Sequence, residues 1–153
     1  MEVNRETSRK SSLPVWLPAA AAIIALVGLI DSVYLTAKHY ADGVVPCSLI
    51  DGCEKVLTST YAEILGVPIA ALGALSYFIA FSLATLAAFG DRRMWPVFGV
   101  LTAAMAAFSL WLIYLQAFEI GAFCQFCLIS AATSLLLFVL FFASRFFFGS
   151  PKK

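Results

Sequence analysis

The chain has 153 residues, of which 62% are hydrophobic and 12% are charged. Soluble domains average about 45–50% apolar and about 25% charged residues, so this composition indicates an integral membrane protein. The formal net charge is only +1, which gives no reason to expect nucleic-acid binding, since that needs clustered basic surface.

Four apolar runs are each long enough to cross a bilayer as a helix, which takes roughly 20 residues. No segment shows the alternating pattern of a membrane β-barrel. We therefore predict an all-α fold, a four-helix transmembrane bundle over residues 14–148, with short tails at 1–13 and 149–153 and no separate soluble module. The runs cover Trp16–Ala37, Gly66–Phe89, Trp95–Phe118 and Cys124–Phe147.

The first run follows three basic residues, as the core of a signal peptide would. Its apolar core, Leu13 to Ile30, exceeds the usual length of about 7–15 residues, and no small-residue cleavage site follows, so we expect a retained helix. Asp31 lies inside the run. An intramembrane acid is expensive and often functional, so Asp31 either relays protons or simply pairs with a neighbouring helix.

Two cysteines lie in the longest hydrophilic interval, about residues 38–65, where we expect a loop with a short helix. Pro46 and Gly52 mark turns, so the five residues between Cys47 and Cys53 can fold back and bring the two sulfurs together. A purely structural disulfide is the simpler alternative.

The fourth run begins with Cys124-Gln-Phe-Cys127. Residues three apart share one helix face, and the first turn of a helix stabilises an anion. A Cys-x-x-Cys at a helix start is therefore expected to be reactive, although two buried structural cysteines remain the alternative.

Lysine and arginine predict the orientation, because they accumulate on the cytoplasmic side. Eight of the ten lie in the N-terminal tail, the turn at 91–93 or the C-terminal end, and only Lys38 and Lys55 lie elsewhere. Both termini are thus predicted to be cytoplasmic in a multi-pass cell-membrane protein. All four cysteines then lie on the periplasmic or extracellular side, where disulfides persist.

Two neighbouring cysteine pairs can relay electrons, since a thiolate attacks a disulfide through a mixed-disulfide intermediate. The cysteine spacing lacks the compact pattern of zinc sites, and His39 is the only histidine, so we expect no metal.

The order of Cys47-x5-Cys53, Ser59 and Cys124-x2-Cys127 resembles the vitamin K epoxide reductase family, and its bacterial members are most similar. The resemblance runs from about residue 28 to residue 134. It includes the stretches 28–40, 59–68 and 124–130, with Gly73 and Tyr77.

The resemblance implies a helical bundle around a quinone of the ubiquinone, menaquinone or phylloquinone type. In the family, a loop pair takes electrons from a thioredoxin-like partner and passes them to the active-site pair. Cys47 and Cys53 match the loop pair, Cys124 matches the cysteine that exchanges with it, and Cys127 matches the quinone-proximal thiol. Ser59 matches a serine near the quinone head.

Five side chains are expected to contribute to the quinone site, namely Ser59, Tyr77, Phe123, Phe126 and Asp31. Many bacterial relatives carry a fused thioredoxin-like domain, so here the partner is expected to be a separate protein. Vertebrate members have a tyrosine where Ala131 stands, which weakens the case for epoxide reduction.

We therefore predict a thiol:quinone oxidoreductase that supports disulfide bond formation. A quinone or quinone-epoxide reductase is the alternative with the same residues, and a disulfide-stabilised scaffold without enzymatic activity is the alternative outside enzymes. The unrelated quinone oxidases of bacterial disulfide formation carry their two cysteine motifs in the reverse order.

Overall fold

The computed structural model describes residues 14–41, 45–46 and 52–148. Four of its helices are long and apolar enough to cross a membrane, which confirms the predicted all-α membrane bundle. The third continues from α4 into a π-helical turn at Gln116–Ile120. The four are α1 (Trp16–Tyr40), α3 (Ile69–Ala88), α4 (Met94–Leu115) and α5 (Gln125–Phe148).

Short elements connect α1 to α3. A one-turn helix, α2 (Cys53–Leu57), is followed by a small antiparallel hairpin of β1 (Glu63–Ile64) and β2 (Val67–Pro68). The turn residues Leu65 and Gly66 both have positive φ, 53° and 79°, as a two-residue hairpin turn requires. The hairpin was not predicted, and it delays the start of α3 by three residues relative to the expected start at Gly66.

Small residues allow α1 and α3 to approach closely. Ala21 and Ala25 of α1, and Ala80 and Ala84 of α3, are completely buried in one cluster. Near the middle of α1 the missing side chain of Gly28 leaves room for the ring of Tyr77, because a Cβ there would lie 2.3 Å from a ring carbon.

Side-chain contacts hold α4 against α5 at the end of the bundle where α4 begins and α5 ends. The Trp95 indole nitrogen donates to the Ser144 hydroxyl at 3.0 Å, and the ring of Phe141 fills the space that Gly99 leaves open. In this antiparallel arrangement Cys53, Cys124 and Cys127 lie at the opposite end of the bundle, and the charged 91–93 turn lies at this one.

Candidate functional site

The two cysteines of the Cys-x-x-Cys motif are free thiols at the start of α5. Cys124 is completely buried and occupies the N-cap position, since its carbonyl accepts the Leu128 N–H at 3.0 Å. The Cys127 N–H points back to the Cys124 sulfur at 3.5 Å. The sulfur of Cys124 thus takes the place that a serine or aspartate oxygen takes in an ordinary N-cap.

This environment favours the thiolate of Cys124. A hydrogen bond from the Cys127 thiol lowers the pKa of Cys124 most, and burial opposes it. The N–H groups of Cys127 and Phe126 lower the pKa further, whereas the charge of Asp31 raises it. The result is a pKa of about 7 instead of 9.0, so Cys124 is a thiol that ionises near neutral pH.

A buried glutamine that the sequence reasoning missed supports this turn. Gln116 is 3% exposed, and its side-chain oxygen accepts the Cys124 N–H at 3.0 Å. The signal in the sequence was a single amide in an apolar run, eight residues before the first cysteine of the motif.

The loop cysteine Cys53 begins α2 and packs beside the turn that carries Cys124. It is disulfide-bonded, 1% exposed, and buried in one cluster with Val56 and Cys124. The preceding Gly52 lies so close to the turn that a Cβ there would be 2.5 Å from the Phe123 carbonyl oxygen. The structure therefore brings Cys53 and Cys124 together, while Cys47 lies outside the described residues.

A cavity of about 430 Å³ lies next to the turn that carries Cys124. Residues of all four long helices line it, together with residues of α2 and the hairpin. Its wall is predominantly apolar, and Cys127 reaches it whereas Cys124 does not. Most of its polar groups are hydroxyls. The polar lining residues besides Cys127 are Ser32, His39, Ser59, Tyr61, Ser76, Tyr77, Ser109, Gln116, Ser130 and Ser134.

Two of the predicted quinone contacts, Ser59 and Tyr77, lie on this wall. The Ser59 hydroxyl donates to the Val56 carbonyl at 2.7 Å and closes the end of α2. The buried Tyr77 hydroxyl bonds the Ser130 carbonyl at 2.5 Å and the Thr133 hydroxyl at 2.7 Å, which ties α3 to α5.

The other three predicted contacts are not among the described residues of the cavity wall. Phe126 packs against the cluster that holds Cys53, and its ring centroid lies 5.4 Å from that of Tyr34. Phe123 is 40% exposed. Asp31 is half-buried, and one of its carboxylate oxygens is buried without a hydrogen-bond partner among the described residues. Direct quinone contact by these three stays a prediction.

A contact between His39 and Glu63, which the sequence did not predict, lies beside the cavity. The Nε2 atom of His39, near the end of α1, lies 3.0 Å from a carboxylate oxygen of Glu63 in β1. It links the bundle to the hairpin that roofs the cavity. Both side chains are partly exposed, so the contact contributes little to stability.

Comparison with known proteins agrees with this arrangement. The profile of the vitamin K epoxide reductase family matches residues 19–142, which include all of α3 and α4 and most of α1 and α5. Over 122 residues the chain is 31% identical to the thiol-disulfide oxidoreductase LTO1 of Arabidopsis thaliana. That alignment covers 73% of this chain but 32% of the relative, so the chain spans about a third of the relative's length. The chain belongs to the vitamin K epoxide reductase family.

Proposed function

We propose that this chain is a membrane thiol:quinone oxidoreductase that supports disulfide bond formation. Electrons pass from a thioredoxin-like partner through Cys47 and Cys53 to Cys124 and Cys127, and then to a quinone. The observation that carries the proposal is that the cysteine pair connects two surroundings. Cys124 is buried in one cluster with Cys53, and Cys127 packs against that cluster and also reaches the apolar cavity, which Cys124 does not.

The cavity suits a quinone in size and chemistry. Small-molecule sites usually measure about 300–1,000 Å³ and combine apolar walls with a few polar groups, as this one does. Leu101, Met105 and Phe108 of α4 extend the apolar wall away from Cys127 and would cover a prenyl tail. A bound quinone supplies the chemistry of an acceptor for two electrons and two protons.

Thiol–disulfide exchange accounts for the earlier steps. A partner dithiol reduces the Cys47/Cys53 disulfide and is itself oxidised, which is the reaction that sustains disulfide formation. The resulting loop dithiol reduces the Cys124–Cys127 disulfide and is reoxidised. Because thiols with a low pKa are good leaving groups, Cys124 is suited to be released in this exchange.

The last step returns the active-site pair to its disulfide. The Cys124 and Cys127 thiols lose two electrons and two protons as their sulfur–sulfur bond forms, and the quinone in the cavity is reduced to the quinol. The described state, with both thiols free and Cys53 disulfide-bonded, is the one that donates toward the cavity.

Quinone reduction is favoured over quinone-epoxide reduction by one wall residue. Ala131 lies on the cavity wall one turn beyond Cys127 and is 5% exposed. Its methyl group offers no hydrogen bond at the place where vertebrate family members carry a tyrosine.

We further propose that residues 14–148 form the catalytic membrane domain, with both tails in the cytoplasm and the cysteines on the exoplasmic side. The opposite placement of Arg92 and Arg93 in the bundle supports this orientation, because basic turns favour the cytoplasm. Oxidation of the loop pair is also favoured on the exoplasmic side.

Anaerobic quinone reduction by the purified protein in detergent tests the proposal. With a small reduced thiol as donor, wild type should reduce quinone and Cys127→Ala should be inactive. Cys47→Ala should retain turnover with the small thiol and lose it with a thioredoxin-like protein donor. If wild type leaves quinone untouched while the cysteines resist reduction, the protein is a disulfide-stabilised scaffold and the proposal is wrong.

A further inference from the structure

The side chain of Gln116 is a buried amide at the end of an apolar helix. Its oxygen lies 3.0 Å from the Cys124 nitrogen. Because a backbone N–H is only a donor, the amide oxygen must be the atom that faces it, which fixes the orientation of the whole amide group. Burying an amide is unfavourable unless it makes such hydrogen bonds, so the bond to Cys124 offsets part of the cost of burying Gln116.

The backbone of the same residue holds the rest of the turn. The Gln116 carbonyl accepts the N–H of Gly121 and, at 3.2 Å, the N–H of Ala122. Gly121 has φ of 62°, a left-handed conformation that favours glycine and ends the π-helical turn. Gln116 therefore holds both ends of the connection 121–124. Its carbonyl binds the beginning, at Gly121 and Ala122, and its side chain binds the end, at Cys124.

The residue that the Gln116 side chain holds is Cys124, and the position of its backbone decides where its sulfur lies. The N–H of an N-cap residue has no partner within its own helix, so without Gln116 it would be unpaired in a buried site. With the Cys124 backbone held, its sulfur sits within reach of the Cys127 N–H. That contact and the neighbouring Phe126 N–H are among the causes that lower the pKa of Cys124.

We propose that Gln116 is the positioning residue of the active-site turn, holding Cys124 at the N-cap of α5 so that its thiolate is stabilised and presented toward Cys53. The inference concerns the same thiol pair as the proposed function. Its principal readout is the ionisation of a thiol and needs no quinone, so the two can fail separately.

The test measures ionisation of Cys124 against pH in the reduced protein in detergent, from the ultraviolet absorbance of the thiolate. The Cys124→Ser variant is the reference, since a buried sulfur gives a reagent little access. Wild type should show a midpoint at about 7. Gln116→Met removes the acceptor with little change in volume. Gln116→Asn keeps an amide but shortens its reach by one methylene, beyond hydrogen-bond distance of the Cys124 N–H.

In both variants the midpoint should rise from about 7 toward the ordinary value of 9.0, because the backbone N–H contacts to the Cys124 sulfur weaken. A midpoint of about 8 would lower the thiolate fraction at pH 7 roughly five-fold. Thr102→Val is the matched control. Thr102 is also buried in α4 and donates to the Gly99 carbonyl at 3.2 Å, but it is not among the described residues of the cavity wall or the cysteine cluster. It should alter thermal stability and leave the midpoint unchanged.

An unchanged midpoint in either folded Gln116 variant overturns the inference, and so does an equal shift in Thr102→Val. If Gln116→Met does not fold, the Asn variant decides. A shifted midpoint in a protein that does not reduce quinone would leave the role of Gln116 standing and remove the proposed function instead.

Discussion

The contact between Gly28 and Tyr77 offers a sharp test of how the cavity wall is held. In Gly28→Ala, the new Cβ would lie 2.3, 2.5 and 2.7 Å from three carbons of the tyrosine ring, and ordinary contacts begin at 3.4 Å. The ring must therefore move by about 1 Å. Its hydroxyl bonds to Ser130 and Thr133, at 2.5 and 2.7 Å, would then stretch to the limit of hydrogen bonding.

The energetic cost has two parts. Overpacking a tightly filled site costs about 1–3 kcal/mol. Complete loss of a buried hydrogen bond costs about 0.5–1.5 kcal/mol, so weakening the two bonds of Tyr77 adds up to that amount for each. We therefore expect Gly28→Ala to lower the free energy of unfolding by about 2–4 kcal/mol. Quinone turnover should also fall, because Ser130 lies three residues beyond Cys127 on the same helix face.

Unfolding in detergent, followed for a double-mutant cycle, isolates the contact. In a Tyr77→Ala background the ring is absent, so Gly28→Ala should be neutral or slightly stabilising. Gly73→Ala serves as the control on the neighbouring helix, because its Cβ would only approach the Ser32 hydroxyl at 3.2 Å. An equal cost of Gly28→Ala in both backgrounds would refute the steric argument.

Three further outcomes follow from the site. The thiolate absorbance of the reduced protein should fall as pH drops below about 7, because protonation removes the Cys124 thiolate that the lowered pKa provides. An ultraviolet pH titration with Cys124→Ser as the reference measures this. Gly52→Ala should slow reduction of the Cys124–Cys127 disulfide by the reduced loop pair, because its Cβ would meet a carbonyl of the cysteine turn at 2.5 Å. Turnover with a small thiol should persist, and a stopped-flow comparison of a protein donor with a small thiol donor distinguishes the two effects. Ser59→Ala should raise the KM for quinone no more than about three-fold, because the Ser59 hydroxyl already donates its proton to the Val56 carbonyl. Steady-state kinetics measure this, and a larger rise in KM would contradict it.

The fold was largely predictable because its main signals are local. Long apolar runs identify membrane helices without knowledge of how they pack. The cysteine motif also locates the start of α5 to within one residue, since Cys124 proves to be its N-cap. The small hairpin escaped prediction because its strands are two residues long and Leu65 adopts a positive φ that its residue type disfavours.

The site was predictable in its cysteines and less so in their surroundings. Spacing alone puts Cys124 and Cys127 on one helix, but which side chains line a cavity depends on how the helices rotate against each other. Phe126 lies between the two cysteines in sequence, yet it packs against the Cys53 cluster and the ring of Tyr34 and is not among the described residues of the cavity wall. Gln116 was missed because its contact with Cys124 crosses a π-helical turn, which helical periodicity does not reveal.

The spacing of the two cysteines suits the relay that we propose. Cys124 ends the irregular connection and is buried in the cluster that also holds Cys53. Cys127 lies one helical turn further along α5, where it packs against that cluster and also reaches the cavity. Residues three apart share one helix face, so the two thiols are placed to form the disulfide that the proposed cycle requires. In that cycle Cys124 would exchange with the loop pair, and Cys127 would face the cavity ligand.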